Sequence, residues 1–122
     1  MIKPTVLVID VGLGNIGSVV AALTRHDCKI DCASTPPTSS DSNAYTHVVL
    51  PGVGAFGEAM KKLQISKLDD CIASFIESGR PFVGICLGLQ LLFESSEEFG
   101  DHKGLAIIKG TVKKLAYSKD GL

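Results

Sequence analysis

Short, uninterrupted apolar runs that end near glycine or proline constrain the fold of this chain more than any other feature. The first covers residues 5–10 and is followed by Gly12 and Gly14. A run of this kind predicts a strand that is buried on both faces, as strands of parallel sheets are. Similar patterns predict further strands at residues 29–33, 47–50, 82–85, 105–108 and 111–115. We expect the strand at 47–50 to stop at Pro51 and Gly52.

Apolar residues spaced three and four apart predict helices between these strands. The predicted helices contain the following residues: Ile16, Val19, Val20 and Leu23; Phe56, Met60 and Leu63; Leu68, Cys71, Ile72, Phe75 and Ile76, ending at Gly79. Another helix should begin at residues 89–93, and residues 35–42, rich in Pro, Ser and Thr, should form a loop. Alternating strands and helices predict an α/β fold with a mostly parallel sheet and helices on both faces. We expect a single domain over residues 1–122.

Composition excludes several classes of function. The 12 Lys and Arg residues are scattered and nearly balanced by 13 acidic residues, so no basic face suggests nucleic acid or a membrane surface. No apolar run approaches a membrane span, and no signal peptide precedes the first strand, so we expect a cytoplasmic protein. The four cysteines form no C-x-x-C pair, and no His is spaced to complete a zinc site. We therefore expect neither a metal nor a cofactor.

Three glycine-rich loops follow predicted strands, at residues 12–17, 51–57 and 84–88. In open parallel sheets ligands bind beyond the carboxyl ends of the strands. The three loops should therefore meet on one rim of the sheet and form the site.

The most informative of these loops is Gly84-Ile85-Cys86-Leu87-Gly88. A nucleophile on a sharp strand-to-helix turn needs small residues two positions to either side, which the two glycines supply. The following helix would direct its N-terminus at the sulfur and favour the thiolate, and the N–H of Leu87 would bind an oxyanion. The alternative is a buried cysteine in a tight turn where glycine serves packing alone.

A second loop, Pro51-Gly52-Val53-Gly54, follows the third predicted strand on the same rim. Its glycines allow the backbone to approach a ligand and direct an N–H at it, which would supply a second oxyanion donor. An ordinary strand-to-helix turn explains the same residues equally well.

Together these motifs resemble the class I (triad) glutamine amidotransferases, with the glutaminase subunits of imidazole glycerol phosphate synthases as the nearest group. The resemblance covers nearly the whole chain and includes the loop and elbow above. Further matching segments are Asp10-Val11-Gly12-Leu13-Gly14-Asn15-Ile16, Gln90-Leu91-Leu92-Phe93-Glu94, Ser95-Ser96-Glu97-Glu98 and Gly104-Leu105. Val11 stands where this family usually has an aromatic residue.

The resemblance implies a reaction and a set of roles. Cys86 attacks the side-chain amide of glutamine, a thioester forms, ammonia leaves and water releases glutamate. The oxyanion would be held by Gly52, Val53 and Leu87, and the substrate by Gly54, Gln90 and Glu98. Ammonia would pass to a (β/α)8-barrel cyclase subunit in a heterodimer, which forms imidazole glycerol phosphate in histidine biosynthesis. Gly12 and Asn15 would face that partner.

The family completes its triad with a His and a Glu well past position 122, so we expect the fold to be incomplete at the C-terminus and the chain alone to be inactive. A surrogate base would have to come within about 3 Å of the sulfur or reach it through one water. His26 and His47 should lie on the opposite edge of the sheet. We interpret His102 as an exposed loop residue.

Three other interpretations remain open. Residues 12–17 read G-x-G-x-x-G, which invites a dinucleotide site, although Asp31 falls inside the second strand where the ribose-binding acid should end it. A non-catalytic docking module is a second possibility. A third is an amidotransferase that serves another ammonia acceptor, such as a surface sugar.

Overall fold

A computed structural model describes residues 3–12, 14–38 and 42–116. Leu13 of the first glycine loop, three residues of the predicted loop at 35–42 and residues 117–122 lie outside it; residues 35–38 form neither helix nor strand. The elements, in chain order, are β1 (Thr5–Ile9), α1 (Ile16–Leu23), β2 (Lys29–Ala33), β3 (His47–Gly52), α2 (Phe56–Ile65), α3 (Leu68–Glu77), β4 (Phe82–Cys86), α4 (Leu87–Gln90), β5 (Phe93–Ser96), β6 (His102–Lys103) and β7 (Ile108–Val112).

The first four strands form a parallel sheet in the order β2-β1-β3-β4. Val8 in β1 lies beside Cys32 in β2 and Val49 in β3. At the carboxyl ends of β3 and β4, Gly52 lies beside Cys86. The predicted α/β fold is confirmed, with helices on both faces of a mostly parallel sheet.

One side of this sheet, which we call the α2/α3 face, carries the main core. Strand residues Leu7, Ile9, Val48 and Leu50 pack there against α2, α3 and α4; the buried helical residues are Phe56, Ala59, Met60, Leu63, Leu68, Ile72, Phe75 and Leu87. The predicted periodicity of α2 and α3 is confirmed by this packing. Gly79 follows α3 with φ +83°, as expected of a residue that ends a helix in the left-handed conformation.

The opposite side, the α1 face, is covered less completely. Its buried residues are Val6, Val8 and Val49, and α1 packs on them through Ile16, Val19 and Leu23. None of the α1 side chains is itself buried. Val83 and Ile85 of β4 point to the same side as Val49, and they are 47% and 37% exposed. Among the described residues, α1 therefore covers the β1 side of this face and leaves the β4 side open.

The chain after the elbow differs from the prediction. The helix predicted at 89–93 is present as α4, but it starts at Leu87 and ends after one turn at Gln90, and Phe93 begins strand β5. β5 is the middle strand of a second sheet in the order β6-β5-β7, with β7 parallel to it and β6 antiparallel. The two predicted final strands are a single strand, β7, while residues 105–107 form none. A register shift between Phe93 and Ser95 lets β7 continue through Gly110, at φ +129°.

The third strand is also longer than predicted, because it continues through Pro51 and Gly52 instead of stopping there. Its pairing with β1 ends at Val49, whereas its pairing with β4 continues to Gly52. The missing N–H of Pro51 therefore interrupts no pairing with β1, and proline is tolerated at such a position.

Candidate functional site

Cys86 lies at the junction of β4 and α4 in a backbone conformation that is rare for any residue except glycine. Its φ and ψ are +54° and −119°, and the residue is exposed. Non-glycine residues held at positive φ are strained and are concentrated at functional sites. The turn that the sequence predicted is therefore present, and it holds the thiol outside the sheet.

Both glycines of the elbow are required by close backbone approaches. A Cβ at Gly84 would lie 2.8 Å from the Cα and N of Leu89. A Cβ at Gly88 would collide with the carbonyl group of Leu50 in β3. Neither neighbour is the flexible end of a side chain, so the steric reason that the sequence suggested is confirmed.

The three glycine-rich loops meet, as predicted. A Cβ at Gly14 would lie 3.4 Å from the Cα of Gly52 and 3.5 Å from the N of Val53. A Cβ at Gly52 would lie 3.5 Å from the Cβ of Leu87 and 3.6 Å from the N of Gly88. The first loop thus packs on the second, and the second packs on the elbow. The spacing of the glycines alone does not show which loops are in contact.

Two of the predicted oxyanion residues, Gly52 and Leu87, adjoin Cys86. Gly52 is its neighbour in the register of β3 and β4, and Leu87 follows it in α4 with its side chain buried. Val53 is 55% exposed, and Gly54 has φ +106° with no atom within 4 Å of the point that a Cβ would occupy. The backbone around Cys86 therefore has open space on the side of residues 53 and 54.

The remaining predicted residues have the following positions. Gln90 ends α4, and Glu98 follows β5, where its N–H donates to the buried Oγ of Ser96 at 3.1 Å. The N–H of Gly12 donates to Oδ1 of Asp10 at 2.8 Å. Asn15 caps α1, since its Oδ1 accepts from the N–H of Ser18 at 3.3 Å. Both loop residues thus have structural partners, and neither contact tests the predicted interface.

The helix after Cys86 is too short to act as predicted. α4 contains only four residues, so the aligned peptide dipoles that would favour a thiolate are few. The elbow conformation and the neighbouring N–H groups remain as the local features that could assist the sulfur.

None of the three histidines is shown in contact with Cys86. His47 and His26 lie at other places in the fold, and the ring of His102 contacts other groups. His47 opens β3, five residues or about 16 Å along the strand from Gly52. His26 follows α1, and its N–H donates to the carbonyl of Leu23. The ring of His102 lies over Gly57 in the first turn of α2, where a Cβ would be 2.6 Å from it, and Nε2 is 3.0 Å from the Phe99 carbonyl. No sequence pattern indicated this contact.

Two other cysteines have a raised pKa. At Cys32, desolvation raises the pKa, and the negative charges of Asp10 and Asp31 raise it further. At Cys71, on α3, desolvation raises the pKa. Both effects favour the neutral thiol, so neither cysteine has the environment of a nucleophile.

Within residues 3–12, 14–38 and 42–116, no group of three or more His, Cys, Asp or Glu side chains could hold a metal ion. The helices of this part of the chain are also too short or too polar to cross a bilayer.

Comparison with protein families identifies the family of the chain. The family model described as Glutamine amidotransferase class-I matches residues 7–119. The chain belongs to this family. The matched range contains both the loop of Gly52 and the elbow at Cys86.

Curated relatives of the chain carry the name imidazole glycerol phosphate synthase subunit HisH. The proteins from Aquifex aeolicus, Helicobacter hepaticus and Bacillus subtilis are 49%, 46% and 44% identical, over 87%, 92% and 88% of this chain. The alignments cover 50%, 55% and 50% of those relatives, so the chain spans about half their length.

A solved structure shares the fold. It is described as a peptidase E protein from Listeria monocytogenes, and it superimposes with a TM-score of 0.67 at 13% sequence identity. The match covers 86% of this chain and 63% of the other. At this identity the likeness concerns the fold alone.

The structure of Gly12 and residues 14–17 does not support the dinucleotide site that the G-x-G-x-x-G pattern of residues 12–17 suggested. Asp31 lies inside β2 and accepts a hydrogen bond from the hydroxyl of Tyr45 at 2.9 Å. The first N–H groups of α1 are partly capped by Asn15, and Gly14 packs on Gly52. Gly14 therefore serves the contact between loops.

Proposed function

We propose that this chain carries the nucleophile of a glutaminase that supplies ammonia to an imidazole glycerol phosphate synthase in the cytoplasm. The single observation that supports it most is Cys86 at φ +54° between Gly84 and Gly88, beside Gly52 of the second loop. Membership of the class-I family and the names of the relatives support the same reaction.

In this proposal the sulfur of Cys86 attacks the side-chain amide carbon of glutamine. The carbonyl oxygen becomes an oxyanion, for which Leu87 and the loop of Gly52 and Val53 supply N–H donors. The carbon–nitrogen bond then breaks, the nitrogen takes up the proton that the thiol has lost and leaves as ammonia, and a γ-glutamyl thioester remains on the sulfur. Water attacks this thioester and releases glutamate, which restores the thiol.

The residues proposed to bind the substrate and the partner subunit lie in the same loops or after them. The open space at Gly54 would admit the substrate, while Gln90 and Glu98 would bind its amino-acid end. Gly12 and Asn15, on the first loop of the same rim, would face a (β/α)8-barrel cyclase subunit that accepts ammonia in a heterodimer.

A glutamine analogue with a chloromethyl ketone in place of the side-chain amide tests the nucleophile without requiring a proton donor for ammonia. We expect it to alkylate Cys86 more than about tenfold faster than Cys32, because binding holds the electrophile beside the sulfur. Both residues are exposed, but the raised pKa of Cys32 slows its alkylation, so each labelling rate is first divided by the rate of the same residue with iodoacetamide. Free glutamine should slow the labelling of Cys86 alone, as measured by peptide mass spectrometry.

Equal labelling of the two cysteines, or no protection by glutamine, would reject the proposed site. Because we expect this chain alone to be inactive, binding to a cyclase barrel, measured by calorimetry, then tests the partner. Binding to the barrel supports the synthase, and absence of binding points to another acceptor.

A further inference from the structure

A cavity of about 530 Å³ lies on the α2/α3 face, away from the elbow. Its floor contains Leu7, Ile9 and Val48 of the sheet, and α3 forms one wall. The opposite side contains Pro36, Pro37, Ser42, Asn43 and Tyr45, which lie between β2 and β3. Neither Cys86 nor any residue of its glycine loops lines this space. The volume is within the range of about 300–1,000 Å³ that small-molecule sites occupy.

The lining of this cavity is mainly apolar and partly aromatic. Tyr45 and the pair Pro36 and Pro37 supply flat or rigid apolar surfaces, whereas the ring of Phe75 in α3 is buried beneath the guanidinium of Arg80. Such surfaces suit the planar body of an aromatic ligand, because rings stack on rings and on proline with little loss of conformational entropy.

Charge is distributed unevenly along the cavity. Lys67 and Asp70 line it near the start of α3 and have opposite charges, whereas Arg80 lines it beyond the end of that helix. The ten residues of α3 separate these two ends by about 15 Å. Among the described residues that line the cavity, none at the Arg80 end carries a carboxylate, so Arg80 is the charged residue of that end.

Arg80 is held in place with part of its hydrogen-bonding capacity unused. Nη1 donates to the carbonyls of Ser42 and Tyr45 at 2.9 and 2.8 Å, and Nε donates to Oγ of Ser78 at 2.8 Å. The guanidinium carbon lies 4.2 Å from the centre of the Phe75 ring. Among the described residues, no hydrogen-bond or ion-pair partner is found for Nη2.

We propose that this cavity binds a small aromatic carboxylate. The ring would lie between Tyr45 and the prolines, and the carboxylate would accept hydrogen bonds from the two N–H groups of Arg80 Nη2. A guanidinium that is already fixed by three hydrogen bonds loses little entropy when it binds a carboxylate, and the bond formed is charge-assisted. The proposal is independent of the chemistry at Cys86.

Cinnamate and its neutral isostere cinnamamide test both parts of this proposal. We expect cinnamate to bind at least about tenfold more tightly by calorimetry, since a hydrogen bond to a charged group contributes about that factor. Cys71 also lines the cavity, so cinnamate should slow its alkylation by iodoacetamide. Cys28, which packs on the α1 face, should react at an unchanged rate in the same sample.

Two substitutions on α3 provide the matched control. Ser74 is exposed and lines the cavity, whereas its neighbour Ala73 is exposed and does not. Ser74→Tyr should abolish cinnamate binding by filling the space, and Ala73→Tyr should leave binding intact. Equal affinity for the acid and the amide, absence of binding, or protection of Cys71 that survives Ser74→Tyr would each overturn the proposal.

Discussion

The two faces of the four-stranded sheet differ in how completely helices cover them. The α2/α3 face buries eight helical side chains against the strands, together with Leu91 and Val11. The α1 face buries three strand residues and no side chain of α1. Both glycines of the elbow belong to the better-packed side, since Gly88 packs on Leu50, a core residue of that face.

This difference shows that an amphipathic pattern gives the orientation of a helix but not the extent of its burial. The apolar residues of α1 repeat as regularly as those of α3, yet only α3 has fully buried positions. Burial of apolar area determines the stabilisation, at roughly 25 cal/mol per Å². We therefore expect the α2/α3 face to carry most of the stability, and with it the geometry of Cys86.

The largest difference should come from one methyl group added on each side. Gly88→Ala forces a Cβ into the carbonyl of Leu50, which is main chain and cannot move aside, so we expect a loss of about 4 kcal/mol or more. Gly17→Ala in α1 meets only ordinary contact, with the nearest atom at 3.7 Å, and should stabilise the protein by about 0.5–1 kcal/mol. Urea unfolding measures both values, and a Gly88→Ala protein of normal stability would show that the approach is not rigid.

Truncation of helical side chains gives a second, smaller difference. Leu63→Ala in α2 removes a fully buried side chain and should cost about 2–5 kcal/mol. Val19→Ala in α1 removes a partly buried one and should cost about 1 kcal/mol. Urea unfolding gives the two free energies of unfolding, which are compared with one common m-value. Equal losses would mean that the α1 face is as well packed as its opposite.

A third comparison lies within the α1 face, between two paired valines. Val49→Thr buries a hydroxyl under α1 and should cost about 1–3 kcal/mol. Val83→Thr places the same hydroxyl at a site that is 47% exposed, where substitutions usually change stability by less than about 0.5 kcal/mol. Thermal unfolding of the two variants suffices, and a large loss at Val83 would show that this strand is covered in solution.

The smallest effect concerns pH. Desolvation on the α2/α3 side raises the pKa of Cys71 above its unfolded value, so the folded state keeps the proton longer. The associated stability is fully present below the unfolded pKa of about 8.5 and is lost as pH rises through the folded pKa. Because the thiol is only half-buried, we expect less than about 0.5 kcal/mol. Cys71→Ser should reduce the fall in the free energy of unfolding above that pH. An unchanged fall would show that other groups cause it.

The sequence predicted the parallel sheet and its three long helices because their signals are local. The apolar runs of β1 and β4 and the three-to-four spacing in α3 are visible without knowledge of any partner. The glycines at 84 and 88 likewise indicated a close approach, although the sequence could not say that the group approached at Gly88 is the carbonyl of Leu50.

The prediction failed where structure depends on distant partners. Phe93-Glu94-Ser95-Ser96 is short and mostly polar, and it is a strand because it pairs with β6 and β7. Gly110 was expected to divide two strands, yet a register shift and a hydrogen bond from its N–H to Glu94 Oε1 at 2.9 Å keep one strand continuous. The contact between His102 and Gly57 and the cavity at Arg80 also join segments far apart in the chain, which periodicity does not detect.

The parallel register of the first sheet has a consequence for the order in which the protein folds. Every strand pair in it joins segments separated by a long crossover, so loop closure must precede pairing. Folding rates fall as such non-local contacts dominate. The meeting of Gly52 with Cys86 requires the roughly 30 residues of α2, α3 and their connections to be in place first. Cys86 should therefore acquire its strained conformation late, among the last events that convert a collapsed chain into the native one.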